Sequence, residues 1–256
     1  MKIISYNTNG IRAAQKKGFE QWVLDQNPEI LCIQETKASA DQVNLDLLLN
    51  HGYHAYWHSA EKKGYSGTLT LTKRTPRNVI AGMGNAKYDS EGRILITEFD
   101  DFSLMNCYFP SGTSGELRQD FKFEFLDDFY LFLQDHKSKY PNTIVLGDFN
   151  IAHQEIDIHD PKGNKKSSGF LPEERTWMTK WFSEGGMVDS FRKIHPDKVE
   201  YSWWSARFNS RGQNKGWRID NISVSKEMEH LITDAGHYNQ DIHSDHCGVF
   251  VELNMA

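Results

Sequence analysis

The sequence predicts an α/β or mixed α+β fold in a single domain. Short apolar runs alternate with stretches of helical periodicity. No internal repeat, low-complexity tract or Pro/Gly/Ser linker interrupts the 256 residues. With 38% hydrophobic residues, and 7 Trp, 10 Tyr and 15 Phe, the chain has ample material for a buried core.

The elements follow in order. KIISY, Lys2–Tyr6, reads as the first strand. Phe19, Trp22 and Val23 mark a short helix, and Ile30–Ile33 is the next strand. Further strands are expected at Gly67–Thr72, Ile94–Phe99 and Ser103–Tyr108, then at Thr143–Leu146, Ile219–Val224 and Gly248–Leu253. Most are rich in Ile, Val, Leu or Phe, and several stop at Gly, Pro, Asn or Asp. Between them, Phe121, Phe125, Phe129 and Leu133 recur at four-residue steps, with Leu126 and Phe132 beside them. That pattern predicts a helix over Phe121–His136 whose aromatic stripe packs a core. Pro172 opens another helix that runs to about Ser183 and stops at Gly185-Gly186.

Composition excludes several classes. The hydrophobic content rules out disorder. No apolar run approaches the roughly 18–20 residues of a membrane-spanning helix. The opening MKIISYNTNGIR has neither the basic start nor the apolar stretch of a secretory signal. Cys32, Cys107 and Cys247 are odd in number and far apart, which predicts buried free thiols in a reducing compartment. The net charge of −6 does not mark a generic nucleic-acid binder, although residues 151–220 carry 12 Lys/Arg against 10 Asp/Glu. A locally basic face on an acidic body is therefore compatible with the sequence.

Function is written at the strand ends. KIISY is followed by Asn7 and Asn9, EILCI by Gln34 and Glu35, SLMNC by Tyr108, and TIVLG by Asp148 and Asn150. Asp220 lies at the start of RIDNISV, and Ser244-Asp245-His246 closely precedes GVFVEL. Ligands of α/β proteins bind where strand ends meet loops, so these residues are expected to share one crevice. Extended backbone would put Asn7 with Asn9, and Asp148 with Asn150, on common faces. Singly, each such residue could be an ordinary turn or cap. Together, four carboxylates, three amides and one histidine form an oxygen-rich set suited to Mg²⁺ or Mn²⁺ rather than zinc. The spacing alone points to a metal-dependent hydrolase acting on a phosphoester.

At QETK (Gln34–Lys37), GDFN (Gly147–Asn150), GWRID (Gly216–Asp220) and SDH (Ser244–His246) the chain resembles the exonuclease III family of abasic-site endonucleases. The likeness runs from Asn7 to His246. PKGNKKSSGFLPEER (Pro161–Arg175), YFPSGTSGE and GWRID resemble the DNA-repair branch in particular. The resemblance implies a four-layered sandwich of two mainly antiparallel β-sheets packed face to face and flanked by helices. It also implies Mg²⁺-dependent hydrolysis 5′ to an abasic site, with Mn²⁺ able to substitute, leaving a 3′-hydroxyl. Side activities as a 3′-phosphodiesterase, 3′-phosphatase or 3′→5′ exonuclease are part of that expectation.

Carried over by motif, Glu35 holds the metal, with Asn9 and Asp245 beside it and Asp148 and Asn150 at its edge. Asp148 orients or deprotonates the attacking water and Asn150 fixes it. Asn7, Tyr108 and His246 donate to the scissile phosphate, and Asp220 keeps His246 charged and oriented. Arg12, Lys37, Tyr65, Asn164 and Lys165 are expected on DNA phosphates. Trp203, Trp217 and Ile219 form the pocket for the flipped-out baseless sugar, and Arg207 enters the base stack. The expected partner is double-stranded DNA with abasic sites or blocked 3′ ends, met by a cytoplasmic, bacterial, nucleoid-associated monomer that does not engage membranes. Ser111 and Ser167 depart from the Asn or Gln of some relatives, shortening side chains near the DNA path. A different phosphodiesterase of the wider superfamily should lack the GNKK loop and GWRID, and a binding module without catalysis should lack Glu35, Asp148 or His246. All are present.

Overall fold

The apolar runs of the sequence become the inner strands of two stacked sheets. The structure, a computed structural model, describes residues 1–255. Its strands are β1 (Lys2–Asn7), β2 (Ile30–Gln34), β3 (His54–His58), β4 (Thr68–Thr72), β5 (Asn78–Ala81), β6 (Ile94–Glu98) and β7 (Ser103–Tyr108). They continue as β8 (Thr143–Asp148), β9 (Met187–Asp189), β10 (Trp203–Trp204), β11 (Gly216–Trp217), β12 (Asp220–Ser225), β13 (Ile232–His237) and β14 (Val249–Leu253). The α-helices are α1 (Ile11–Gln15), α2 (Phe19–Gln26), α3 (Asp46–Leu49), α4 (Ala86–Asp89), α5 (Glu116–Lys139), α6 (Pro172–Ser183) and α7 (Ser190–Ile194).

One sheet has the order β13-β14-β1-β2-β4-β3 and the other β5-β6-β7-β8-β12-β9; β10 and β11 form a separate ribbon. Within the two sheets β1–β2 and β7–β8 are parallel, and the other pairs are antiparallel. Alternation along the strands explains the layering. Ile3, Ile30 and Cys32 face Leu104, Ile144, Leu146 and Ile222 between the sheets. Their neighbours Ile4, Leu31 and Ile33 point outward, under Phe19, Trp22 and Leu48. On the far side Ile96, Met105 and Val145 pack beneath Phe125 and Phe129 of α5 and Trp177 and Trp181 of α6. The result is the expected four layers of helix, sheet, sheet and helix. Central strands covered on both faces read as near-continuous apolar runs.

The helices begin and end for local reasons. Pro172 sits in the first turn of α6, and Glu174 reaches back to accept from the Leu171 N–H at 3.0 Å. The helix α5 ends with Lys137 and Lys139 in its last turn, where positive charge complements the exposed carbonyls. All three cysteines are free and buried, as expected.

Several strands run one or two residues beyond the apolar runs, and this builds the site. Asn7 pairs with Gln34 at the end of the β1–β2 ladder, and Asp148 pairs with both Tyr108 and Asp220. Gly147 permits the pairing with β7: a Cβ there would lie 1.8 Å from the Cys107 carbonyl oxygen, and its φ is +136°. Beneath this edge Gln34 Nε2 donates to Asn106 Oδ1 at 2.8 Å, and Asn106 Nδ2 donates to the Leu69 carbonyl at 2.9 Å. Both amides are buried, and these bonds cross from one sheet to the other.

Candidate active site

The ends of β8 and β12 bring two carboxylates into one dry place. Asp148 and Asp220 are directly opposed, both are buried, and His246 joins them. The imidazole Nδ1 donates to Asp220 Oδ2 at 2.8 Å, while its Nε2 lies 3.9 Å from Asp148 Oδ2. Burial, reinforced by the neighbouring Asp220, raises Asp148 to about 7 despite the His246 charge. Burial alone would neutralise His246, but Asp220, Asp148 and Asp245 outweigh it and raise the imidazole to about 10. At neutral pH the site therefore pairs a carboxylate poised to take a proton with an imidazolium that keeps its own.

The two i, i+2 pairs meet, though not through extended backbone. Asn9 has φ +47° and Asn150 has φ +52°, both left-handed. The Asn9 N–H donates to Asn7 Oδ1 at 2.9 Å, and the Asn150 N–H donates to Asp148 Oδ1 at 2.8 Å. In each pair the first side chain caps a turn that folds the second back, because Asn and Asp tolerate this conformation best. Left-handed turns, not the extended backbone expected from the spacing, bring the members of each pair together. The turns leave Asn7 Nδ2 donating to Asp148 Oδ2 at 2.9 Å and Asn150 Nδ2 to the same oxygen at 3.2 Å. Asp148 is thus fixed on both oxygens.

Tyr108, opposite Asp148, keeps its proton: burial, then the nearby Glu35 and Asp148 charges, raise the phenol well above its ordinary value. It is a donor to whatever occupies the cavity.

The oxygen donors for a cation gather at one rim. Glu35, at φ +55°, follows β2 directly. Lys37 Nζ lies 2.9 Å from Glu35 Oε1 and also donates to Asn9 Oδ1. Asn9 Nδ2 in turn donates to Asp245 Oδ1 at 3.0 Å. An ammonium already seated between Glu35 and Asn9 shows that these oxygens accommodate a cation, and carboxylate and amide oxygens suit a hard one. Asp148, Asp220 and His246 also have ligand atoms within 4.8 Å of one another. A protonated imidazole whose Nδ1 is engaged by Asp220 offers no lone pair, so proton sharing describes that trio better than metal ligation.

Next to these groups the β10–β11 ribbon carries an apolar wall. Trp203 and Trp217 meet edge to face, 6.0 Å between ring centroids, over a base of Ile158, Phe170 and Ile219. Trp203 Nε1 donates to Asp245 Oδ2 at 3.2 Å, tying the wall to the polar rim. A cavity of about 820 Å³ is lined by Trp203, Trp217 and Ile219 together with Glu35, Tyr108, Asp148 and His246.

The chain matches the Endonuclease/Exonuclease/phosphatase family over residues 4–246. The chain belongs to this family. It is 40% identical to a Bacillus subtilis exodeoxyribonuclease over 257 residues, covering all of both chains. It is 42% identical to a Dictyostelium discoideum DNA-(apurinic or apyrimidinic site) endonuclease, covering 99% of this chain and 71% of that one. Among solved structures, a 3′-5′ exonuclease from Neisseria meningitidis superposes with a TM-score of 0.92 at 26% identity, with full coverage of both chains.

This family member places the remaining expected residues variously, with Ser111 and Ser167 among those that line the cavity. Arg12, Lys165 and Arg207 are exposed on α1, the 160s loop and the loop after β10. Asn164 is spent within its own loop: its Nδ2 donates to the carbonyls of His159 and Asp160, and its Oδ1 accepts from Ser167. The Ser111 hydroxyl likewise pairs with Thr113, 2.9 Å away. Tyr65 has its phenol oxygen occupied by Arg93 Nη2 at 3.0 Å and Arg118 Nη2 at 3.2 Å, which leaves only its proton to offer.

Two supporting groups escaped the sequence reading. Arg93 is buried, donates to the Tyr108 carbonyl at 2.9 Å and lies over the Tyr108 ring at 5.0 Å. Lys122 donates to the Asn150 carbonyl at 2.8 Å and pairs, fully buried, with Glu174, which also accepts from the Gly169 N–H at 2.6 Å. The pair thus links the GDFN turn to the GNKK loop. A signal for it existed: Lys122 shares the helix face of Phe125, Leu126 and Phe129.

Proposed function

We propose that this chain is a DNA-repair phosphodiesterase that hydrolyses the backbone 5′ to abasic sites in duplex DNA, leaving a 3′-hydroxyl, with Mg²⁺ as its cofactor. The observation that carries the reading is the composition of the cavity. Its lining combines a poised carboxylate and phosphate donors with two tryptophans and an isoleucine, and its volume leaves room for a sugar lacking its base. The names borne by the Bacillus and Dictyostelium relatives support the same class of substrate.

In this reading Asp148 accepts a proton from the attacking water, its orientation set by Asn7 and Asn150. A carboxylate near 7 is a competent base at neutral pH, unlike one near 4. His246 through Nε2 and Tyr108 through its hydroxyl donate to the non-bridging phosphate oxygens, where charge grows as the water attacks. Asp220 holds the imidazole in place through Nδ1. Glu35, with Asn9 and Asp245, would hold Mg²⁺, which neutralises charge on the phosphate when bound. Arg12, Lys165 and Arg207, exposed around the cavity, would take backbone phosphates or enter the stack. The 3′-phosphatase, 3′-phosphodiesterase and 3′→5′ exonuclease activities would use the same groups on a terminal phosphoester. The protein would act as a cytoplasmic monomer.

The test is a labelled duplex carrying one tetrahydrofuran abasic analogue, incubated with Mg²⁺ and separately with EDTA. A single Mg²⁺-dependent cut 5′ to the analogue is expected, since tetrahydrofuran cannot undergo β-elimination. Stepwise shortening from 3′ ends without that cut would make this chiefly a 3′-processing enzyme and defeat the abasic-site reading.

A further inference from the structure

Asp245 and His246 are reached through residues 239–244, which belong to no helix or strand. Backbone carbonyls in such a stretch have no ladder to satisfy them. One side chain from elsewhere satisfies three of them. Arg211 Nη1 donates to the Ser244 carbonyl at 2.9 Å, and Nη2 donates to the carbonyls of Asn239, at 3.2 Å, and Asp241. The guanidinium lies 4.5 Å over the Trp204 ring, so the ribbon next to the cavity wall fixes it from behind. The only other side-chain donor to these carbonyls among the described residues is Lys17, at an exposed position 3.3 Å from the Ile242 oxygen.

On the downstream side the catalytic dipeptide is already held by main chain. The Trp204 N–H donates to the Asp245 carbonyl at 3.1 Å, and the Cys247 N–H donates to the Ser202 carbonyl at 2.8 Å. On the upstream side the His243 ring packs against Tyr6, Phe19 and Trp22, and among the described residues Arg211 alone bonds the Ser244 carbonyl that leads into Asp245. The Ser244 carbonyl belongs to the peptide bond with Asp245, so fixing it sets where the Asp245 side chain starts. It thereby sets how Asp245 meets Asn9 and Trp203, and how His246 meets Asp220.

We propose that Arg211 is a positioning residue: its fork of bonds to three carbonyls holds the Ser244–His246 segment in its working geometry. The inference rests on the phosphodiesterase reading of the site. A planar guanidinium can span three carbonyls at fixed angles, and the compact ammonium of a lysine cannot. Arg211→Met keeps much of the packing on Trp204 and removes every donor. Arg211→Lys keeps the charge and loses the fork.

The experiment compares wild type, R211M and R211K on the tetrahydrofuran duplex in Mg²⁺. Alongside go anisotropy binding of the same duplex in EDTA, thermal unfolding, and the NMR signal of the His246 Nδ1 proton in free protein. A displacement of about 1 Å at reacting groups costs up to about 10²-fold. R211M is therefore expected to lose about 10- to 100-fold in kcat while its affinity changes less than about threefold, and the His246 proton signal should shift. R211K should recover only part of the loss. Weakened DNA affinity with kcat intact would assign Arg211 to the loop alone and overturn the proposal, as would unchanged kcat with a lowered Tm. If R211M does not fold, the same criteria apply to R211K. If wild type fails to cut the duplex, the functional reading falls separately. The NMR signal then decides: unchanged in the folded variant, it overturns the positioning role; shifted, it supports it.

Discussion

Replacing Asp220 by Asn tests the proton arrangement without altering the shape of the site. Asp220 is the main reason His246 stands at about 10 against an ordinary 6.5, and after burial it is the largest cause of the rise of Asp148 to about 7. With the carboxylate gone, burial still disfavours the imidazolium and only Asp148 and Asp245 favour it, so its value should fall from about 10 toward the ordinary range. At an ordinary 6.5, about one imidazole in ten would be charged at pH 7.5. Loss of a preorganised donor costs about 10²–10³ in rate, and D220N is expected to fall in that range. Asp148 simultaneously loses a like charge, and its value falls as well. Both limbs of the pH profile of kcat/KM should therefore move to lower pH, and part of the lost activity should return on acidification. The assay is initial-rate cleavage of the tetrahydrofuran duplex from pH 5 to 10 at fixed Mg²⁺. A loss of equal size at every pH, or an alkaline limb left in place, would refute the reasoning. Stability gives a second reading. The folded values of His246 and Asp148 are both raised, so the stability they contribute is complete below 6.5 and 3.8 respectively. It is lost as pH rises through about 10 and about 7. The urea midpoint of wild type should fall between pH 7 and 10, and that of D220N should fall less.

Glu35→Gln should weaken Mn²⁺ binding, followed by electron paramagnetic resonance, by at least about tenfold, a loss that even groups one step removed from a metal produce; unchanged affinity would move the cation elsewhere. Lys122→Met leaves Glu174 charged and unpaired in the interior and should cost about 3–5 kcal/mol in urea unfolding, much of it recovered in the K122M/E174Q double variant. A cost below about 1 kcal/mol would mean the pair is not as dry as its burial indicates. Trp217→Ala widens the proposed sugar pocket and should lower discrimination between tetrahydrofuran and an intact nucleotide by about 10-fold or more, the scale of steric selection by a few methylenes. Equal losses on both substrates would show that the ring only supports the ribbon.

Central strands could be read from the sequence because both of their faces are buried, so apolar residues run on without a break. The strands that escaped lie at edges or are very short. His54–His58 and Asn78–Ala81 are partly or largely exposed, Ile232–His237 borders solvent, and the β10–β11 ribbon has two residues a side. Helix α5 extends past the expected Phe121 and His136 because its ends are polar and carry no stripe. The polar residues after each strand were also legible, and they do meet. Their conformation was not: nothing in the spacing distinguishes an extended Asn9 or Asn150 from one in a left-handed turn. The hidden supports, Arg93, Lys122 and Arg211, owe their importance to partners 15 to 52 residues distant, and local pattern holds no record of those.

The buried amides Gln34 and Asn106 carry a consequence for how this protein can change over time. Asn7 and Glu35 depend on one sheet and Tyr108 and Asp148 on the other, so the candidate site consists of two halves brought into register by the interior between them. The Gln34–Asn106 bond works like a dowel at that seam. Substitutions in the interleaf that swell or shrink it, harmless to folding by themselves, will slide the halves apart and be screened by turnover before they are screened by melting. Lineages adapting to heat or cold should therefore redesign the outer helical layers freely and leave the seam between the sheets almost untouched.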